Sequence, residues 1–249
     1  MLVSFTRYNV VYIKLRFMLH EDDEEIDASS IAEFERQIVE TLFECFYRIL
    51  PMMTFDSLTS FPDAVQNYVS FAAFLINSHD REIVIFMTSD KRSTAFLLLD
   101  HLVHCAIHAN ASTGQLALRS LESLAESLWR SNTHVDGDVV ERFCACEIRL
   151  IDWMLAIYVV ADAVNVLADR FDAFATALLS LIRLSPERFR ARLNSAVDMY
   201  PSIASIINTF LSKLTFDLTV LDRNNRRIFS LVLRDFTDEL KSHVAFLGS

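Results

Sequence analysis

Glycine and proline are scarce in this sequence. Its 249 residues include only 3 Gly and 4 Pro, whereas average usage is about 7% Gly and 5% Pro. The hairpins of sheet proteins depend on these residues, because glycine supplies positive φ angles and proline presets a turn. The shortage argues against a sheet protein and predicts an all-α fold.

Basic residues are outnumbered as well. The chain carries 23 Lys and Arg against 33 Asp and Glu, a formal net charge of −10 at pH 7. Proteins that bind nucleic acid directly present a dense basic surface to its phosphates, so no such binding is expected here. An acidic surface favours protein partners that carry basic patches.

Long apolar runs and cysteine patterns are also missing. The longest uncharged apolar run, Trp153–Ala161, falls far short of the about 20 residues that a membrane-spanning helix needs. The spacing of Cys45, Cys105, Cys144 and Cys146 is not that of a disulfide framework. We expect no membrane span and a reduced intracellular compartment.

Signatures of catalysis are missing too. The chain has no Gly-rich phosphate loop and no nucleophile motif. His101, His104 and His108 share one helical face, but no nearby carboxylate completes a known zinc pattern. Cys144 and Cys146 are two residues apart, so a helix points them to different sides. We therefore predict that the protein is not an enzyme and has no catalytic residue, metal site or cofactor.

What the sequence does contain is helical periodicity. Residues 93–130 predict two helices joined by a polar turn, and apolar side chains such as Leu98 and Leu102 recur at helical spacing in the first. This helix is apolar over enough of its circumference to be covered on two sides. The second helix has one apolar face, with Glu122 and Glu126 opposite. We predict that the polar face with the two glutamates lies in water.

The same pattern continues along the chain. Helix start and stop signals from Ser30 onward predict about nine or ten helices in antiparallel pairs. The pairs recur at about 40–50 residues, the period of HEAT and armadillo arrays. We predict a HEAT-repeat solenoid of about four to five repeats over 30–249, preceded at 1–29 by an extension and acidic linker that could begin a truncated repeat. A globular helical bundle is the alternative that the spacing leaves open.

Individual boundaries follow from local signals. Pro51 predicts a helix end and Ser185–Pro186 a helix start, because proline suits the first helical position. Apolar spacing predicts a continuous helix over 161–184. Asn224–Asn225 predicts a last turn before the final helix.

One local concentration of positive charge stands out against the acidic chain. It consists of Arg223, Arg226 and Arg227, with Arg234 one helical face further on. An ordinary interpretation is a solvated turn and helix start. A functional interpretation is a patch for an acidic surface of a protein partner, and these four arginines are the candidate partner-binding residues.

Four segments in order suggest a relationship. They are LFECFYRIL (Leu42–Leu50), FPDAVQNYVSFAAFLINSHD (Phe61–Asp80), the turn of the central pair with Asn110 and Gly114, and IFSLVLRDFTDELKSHVAF (Ile228–Phe246). In this order and spacing they resemble the C-terminal part of the chromosome-region-maintenance exportins, nuclear export receptors of the karyopherin-β family.

The resemblance implies a HEAT-repeat segment of a nuclear export signal receptor. Its implied partners are Ran-GTP, export cargo proteins and nucleoporins, and its implied location is nuclear and cytoplasmic, with shuttling through the nuclear pore. In that family the signal-binding groove and the N-terminal Ran-binding repeats lie upstream, so no cargo-contacting residue carries over. The family's acidic tail finds no match after Phe246, so the resemblance leaves autoinhibition through that tail open. A free-standing helical-repeat scaffold without transport activity is the alternative.

Overall fold

Helices make up the regular structure of this chain. The computed structural model describes residues 28–131, 137–157 and 167–247, and their side chains apart from those of 28–32, 34, 35, 157 and 244–247. All regular structure in these ranges is helical, which confirms the all-α prediction. No helix in the described ranges is long and apolar enough to cross a membrane.

The described ranges contain eleven α-helices, named here α1 to α11. Short 3-10 turns at Leu50–Met52 and Pro201–Ile203 follow α1 and α9. The helices are α1 Ala28–Ile49, α2 Phe55–Ser60, α3 Pro62–Ser78, α4 Asp80–Thr88, α5 Arg92–His108, α6 Ala111–Arg130, α7 Gly137–Ile157, α8 Phe171–Leu184, α9 Pro186–Met199, α10 Ala204–Lys213 and α11 Arg223–Leu247.

Several helix starts have clear local causes. Pro62 and Pro186 occupy the first position of α3 and α9, where a backbone N–H would have no helical partner in any case. At the start of α6, the side-chain oxygen of Asn110 accepts a hydrogen bond of 2.9 Å from the backbone N–H of Thr113. Such a cap stabilises a helix by about 1 kcal/mol.

The helices pack in two rows. The first row consists of four successive neighbours, α3, α6, α8 and α11. The second row consists of α5, α7 and α9, and α2 and the turn at Leu50–Met52 lie beside α5. The rows join where α5 packs on α6, where α7 packs on α8, and where α10 bridges α9 and α11. Helix α1 packs on α3, with the Phe46 ring 5.5 Å from that of Phe71. One apolar cluster runs through both rows.

The prediction that α6 faces water is wrong for its two glutamates. Helix α6 contacts α3, α4, α5 and α8, and Glu122 and Glu126 are half-buried beneath Arg226 of α11. A helix in the middle of a row has a neighbour on each side, which the period of its own sequence does not reveal.

Two boundary predictions are also wrong. The described part of the predicted helix over 161–184 is interrupted by a turn at Asp169–Arg170, and α8 begins at Phe171. The other residues of that prediction, and residues 1–27 of the predicted extension, lie outside the described ranges. The pair Asn224–Asn225 lies in the first turn of α11 and not in a loop, because the buried Asn225 side chain holds the preceding loop from within the helix.

Candidate protein-binding surface

The four candidate arginines lie on α11, but they do not form one open patch. Arg226 is half-buried and donates to Glu122 over 2.6 Å and to Glu126, both on α6. Burial disfavours its charged form, but the bonds to the two glutamates outweigh burial and raise its pKa. Arg226 therefore joins two helices of one row.

Arg234 also has an internal partner. Its Nη2 lies 3.3 Å from the Oδ1 atom of Asp172 at the start of α8, and its guanidinium lies 5.1 Å from the centre of the Phe171 ring. Both charged side chains are more than half exposed. Exposed ion pairs contribute about 0–1 kcal/mol, so Arg234 remains free to exchange Asp172 for a partner's carboxylate.

Arg223 and Arg227 are the open part of the cluster. Both are exposed, and within the described ranges neither side chain has a hydrogen-bond or ion-pair partner. They lie four residues apart on the first turns of α11, on the same side of the helix. The two guanidinium groups are therefore arranged to receive a carboxylate. The N-terminus of a helix favours an anion, and the Asp222 side chain already supplies one, because its Oδ1 atom accepts a hydrogen bond of 2.7 Å from the backbone N–H of Asn225.

The loop before α11 fixes the position of this open pair. The Asn225 amide donates to the backbone oxygens of Asp217 and Val220 over 3.1 and 3.0 Å. Asp217 in turn accepts from the backbone N–H and the hydroxyl of Thr219, and these bonds lower the pKa of its carboxyl. The start of α11 is thus held in place by the fold.

An exposed tryptophan lies beside the same row, and the sequence analysis did not identify it. Trp129 near the end of α6 is 40% exposed, and the Arg183 guanidinium of α8 lies 4.1 Å from its ring centre. Burial lowers the pKa of Arg183, while Glu126 opposes that shift. Tryptophan and arginine are the residues that protein interfaces favour most. Glu126 connects this pair to α11, because it acts on the charge of Arg183 and also pairs with Arg226. We call Trp129, Arg183, Arg223 and Arg227 the tryptophan–arginine face.

The histidine stripe of α5 is used for internal contacts. His101 is buried with its Nδ1 atom 2.8 Å from the Tyr68 hydroxyl, and burial lowers its pKa to about 4. His104 shares a hydrogen bond of 3.1 Å with Thr59 of α2, and its ring centre lies 4.6 Å from that of His108. No three metal-ligating side chains come together in the described part of the chain.

A buried arginine is a further feature that the sequence analysis missed. Arg170 is 3% exposed and donates to the backbone oxygens of Ala106 and Ala109 at the end of α5. We call these two bonds the Arg170 cap. Gly114 makes room for it, because a Cβ atom there would lie only 2.1 Å from the guanidinium.

A buried carboxyl lies in the other row. Glu147 of α7 is 1% exposed, and neither of its oxygens has a hydrogen-bond partner among the described residues. Burial raises its pKa to about 8, against a smaller opposing effect of Arg188 on α9. Its position in the packed interior indicates an effect on stability.

No protein-family model, curated protein sequence or solved structure matches this chain. What bears on function is the surface just described, the packing of the two rows and the resemblance of the four sequence segments.

Proposed function

We propose that this chain is a protein-binding segment of a nuclear export receptor, built as a HEAT-repeat solenoid of four repeats. The repeats are α1 with α3, α5 with α6, α7 with α8, and α9 and α10 with α11. The observation that carries this repeat architecture is the two-row packing, in which α6 and α8 of one row and α7 of the other each contact the helix before and the helix after them in their row. Solenoids differ from closed bundles in this nearest-neighbour pattern.

Polar contacts along one row support the same repeat. Asp100 of α5 pairs with Arg142 and Arg149 of α7, at separations of 42 and 49 residues. Asp152 of α7 pairs with Arg192 of α9 at a separation of 40 residues. A HEAT repeat spans about 40–47 residues, so these pairs connect corresponding helices of consecutive repeats.

The tryptophan–arginine face supplies the binding surface of this proposal. Within the described ranges the guanidinium groups of Arg223 and Arg227 have no partner, and they suit an acidic protein surface, since guanidinium and carboxylate groups match in geometry. Trp129 adds apolar area of the kind that dominates binding energy at interfaces. Candidate partners of the receptor are Ran-GTP, export cargo and nucleoporins.

The first experiment measures binding of the purified chain to Ran loaded with GTP or with GDP. We expect the GTP form to bind at least about tenfold more tightly, a difference of about 1.4 kcal/mol. The double variant Arg223→Glu and Arg227→Glu reverses the charge of the open pair and should weaken this binding, whereas Arg119→Glu, an exposed arginine of α6, should not. The N-terminal Ran-binding repeats of the family lie upstream of this segment, so the export proposal requires that these C-terminal repeats add contacts to Ran of their own. Equal binding of both nucleotide forms, or none, would then contradict it.

The second candidate is a free-standing helical-repeat scaffold without transport activity. It uses the same two rows and the same face, so the packing alone favours neither candidate. A charge-dependent protein partner that binds without reference to the nucleotide state of Ran would favour the scaffold.

A further inference from the structure

An aromatic pocket lies on the opposite part of the molecule, where α1 meets α4 and the start of α5. Its volume is about 350 Å³. Three of its lining side chains are aromatic, two are carboxylates and one is an ammonium. The lining residues are Glu40, Phe43, Glu44, Tyr47, Phe86 and Lys91.

Three rings form the apolar part of this aromatic pocket. Phe43 and Tyr47 lie one turn apart on α1, and their ring centres are 6.1 and 6.2 Å from that of Phe86 on α4. The interplanar angles of 61° and 83° are edge-to-face arrangements. Phe86 is buried and forms the floor, whereas Phe43 and Tyr47 are half-buried and keep part of their surface towards the opening.

The chain already places an ammonium group in this aromatic pocket. The Nζ atom of Lys91 lies 4.8 Å from the centre of the Tyr47 ring and 3.4 Å from the Oε2 atom of Glu44. The side chains of Lys91 and Glu44 are each nearly half exposed. Contacts between such exposed charges are weak, so another cation can replace Lys91.

We propose that the aromatic pocket binds a lysine side chain of a partner protein, most tightly when that lysine is trimethylated. Ring faces attract cations through their negative electrostatic potential, and clusters of rings are the usual receptors for methylated ammonium groups. Glu40 and Glu44 at the rim already pair with Arg36 and Arg48 of the same helix, so the aromatic rings, and not the charge of the rim, provide most of the attraction for a cation. Lys91 is then an internal occupant that yields to the partner's lysine. This inference does not depend on the proposed export function.

The test is a titration of the isotope-labelled chain, followed by nuclear magnetic resonance. The probes are N-acetyl-trimethyllysine amide and its neutral isostere, in which a tert-butyl group replaces the trimethylammonium group. We expect the cationic probe to bind about fivefold or more tightly than the isostere, with the largest shifts at Phe43, Tyr47 and Phe86. Equal binding, no binding, or shifts centred elsewhere would overturn the proposal.

Variants test the two parts of the mechanism separately. Lys91→Ala should strengthen binding of the cationic probe by about threefold or more, because no internal ammonium competes. Lys213→Ala is the matched control, since Lys213 is an exposed lysine paired with carboxylates on another helix. Tyr47→Leu should abolish the preference for the cation, while Tyr47→Phe should keep it. A Lys91→Ala variant with unchanged or weaker binding, or a Tyr47→Leu variant that still prefers the cation, would count against the aromatic pocket.

Discussion

Arg170 and Glu147 are both ionisable side chains buried between neighbouring helices, yet their surroundings are opposite. Arg170 is 3% exposed and donates to two backbone oxygens at the end of α5. Glu147 is 1% exposed, and within the described ranges both its oxygens lack a hydrogen-bond partner. The comparison separates two ways in which a folded chain tolerates a buried ionisable group.

The two groups differ in whether they can become neutral when they are buried. An arginine stays charged even when burial lowers its pKa, as it does for Arg170, so its burial requires acceptors. The last carbonyls of a helix provide them, at the negative end of the helix dipole. A carboxyl can instead bind a proton, and burial raises the pKa of Glu147 to about 8. The fold therefore tolerates the buried Arg170 because backbone oxygens accept its hydrogen bonds, and it tolerates the buried Glu147 because the carboxyl is protonated.

The largest effect is expected from removing the Arg170 cap. In Arg170→Met the two backbone oxygens of Ala106 and Ala109 lose their donor, and we expect the free energy of unfolding to fall by about 3 kcal/mol. Urea unfolding followed by circular dichroism measures it. The control is Arg190→Met, because Arg190 is half-buried and donates to one oxygen, that of Leu214, over 3.3 Å. An equally small loss in both variants would contradict the importance of the cap.

Replacing Glu147 should remove a pH dependence of stability. Its folded pKa of about 8 lies above the ordinary value of 4.5, so the folded state binds the proton more tightly than the unfolded state. Stability from this group is therefore present at low pH and is lost as the pH rises through about 8. The loss is progressive between pH 4.5 and about pH 8, so between pH 5 and pH 7 we expect the wild-type chain to lose about 2–3 kcal/mol through this group, a loss that Glu147→Gln avoids.

The pH experiment has a matched control on the same helix. Glu141 of α7 is exposed, so Glu141→Gln should leave the pH profile of the urea midpoint unchanged. Parallel profiles of the wild-type chain and Glu147→Gln between pH 5 and pH 7 would show that Glu147 is ionised in the folded state. The contrast with Arg170 would then disappear.

The sequence predicted what local patterns determine. The starts at Pro62 and Pro186 need only neighbouring residues, as do the buried apolar faces of α5 and α6, and these predictions agree with the structure. Local chemistry was sufficient for these features. The period of about 40–50 residues stays a prediction, and the ion pairs between α5, α7 and α9 join residues 40, 42 and 49 positions apart.

The features that the sequence could not predict join distant parts of the chain. The oxygen of Ala106 is 64 residues from Arg170, and Glu122 is 104 residues from Arg226. Local spacing shows that an arginine interrupts an apolar stretch, but not which helix end lies opposite. The sequence shows a cluster of four arginines, but only the packing of α6 and α8 shows that Arg226 and Arg234 have internal partners. Gly114, inside a helix where glycine is costly, was the one available sign of a close approach.

A smaller effect is expected at Gly114, and it tests the Arg170 cap from the other side. Gly114→Ala places a Cβ atom 2.1 Å from the present guanidinium position, so the side chain must move off its acceptors, at about 1–2 kcal/mol. In the Arg170→Met background the same change should be neutral or stabilising, because alanine favours a helix by about 1 kcal/mol over glycine. A double-mutant cycle in urea measures the coupling.

The control for this cycle is Gly137→Ala at the start of α7, where an added Cβ atom meets nothing within 4 Å. Its effect should be the same in both backgrounds. If Gly114→Ala lowers the free energy of unfolding equally in the wild-type and Arg170→Met backgrounds, the space beside Gly114 is not needed for Arg170.

The smallest effect is expected at Arg226, a charged group that is neither deeply buried nor free. Its bonds to Glu122 and Glu126 are partly exposed, so Arg226→Gln should lower the free energy of unfolding by about 1 kcal/mol. Arg227→Gln, at the exposed neighbouring position, should change it by less than about 0.5 kcal/mol. Screening by 1 M salt should reduce the difference between the two variants, whereas the loss in Arg170→Met, which comes from buried oxygens, should persist. If salt weakens both losses equally, Arg170 behaves as a surface charge, and burial is not what distinguishes it.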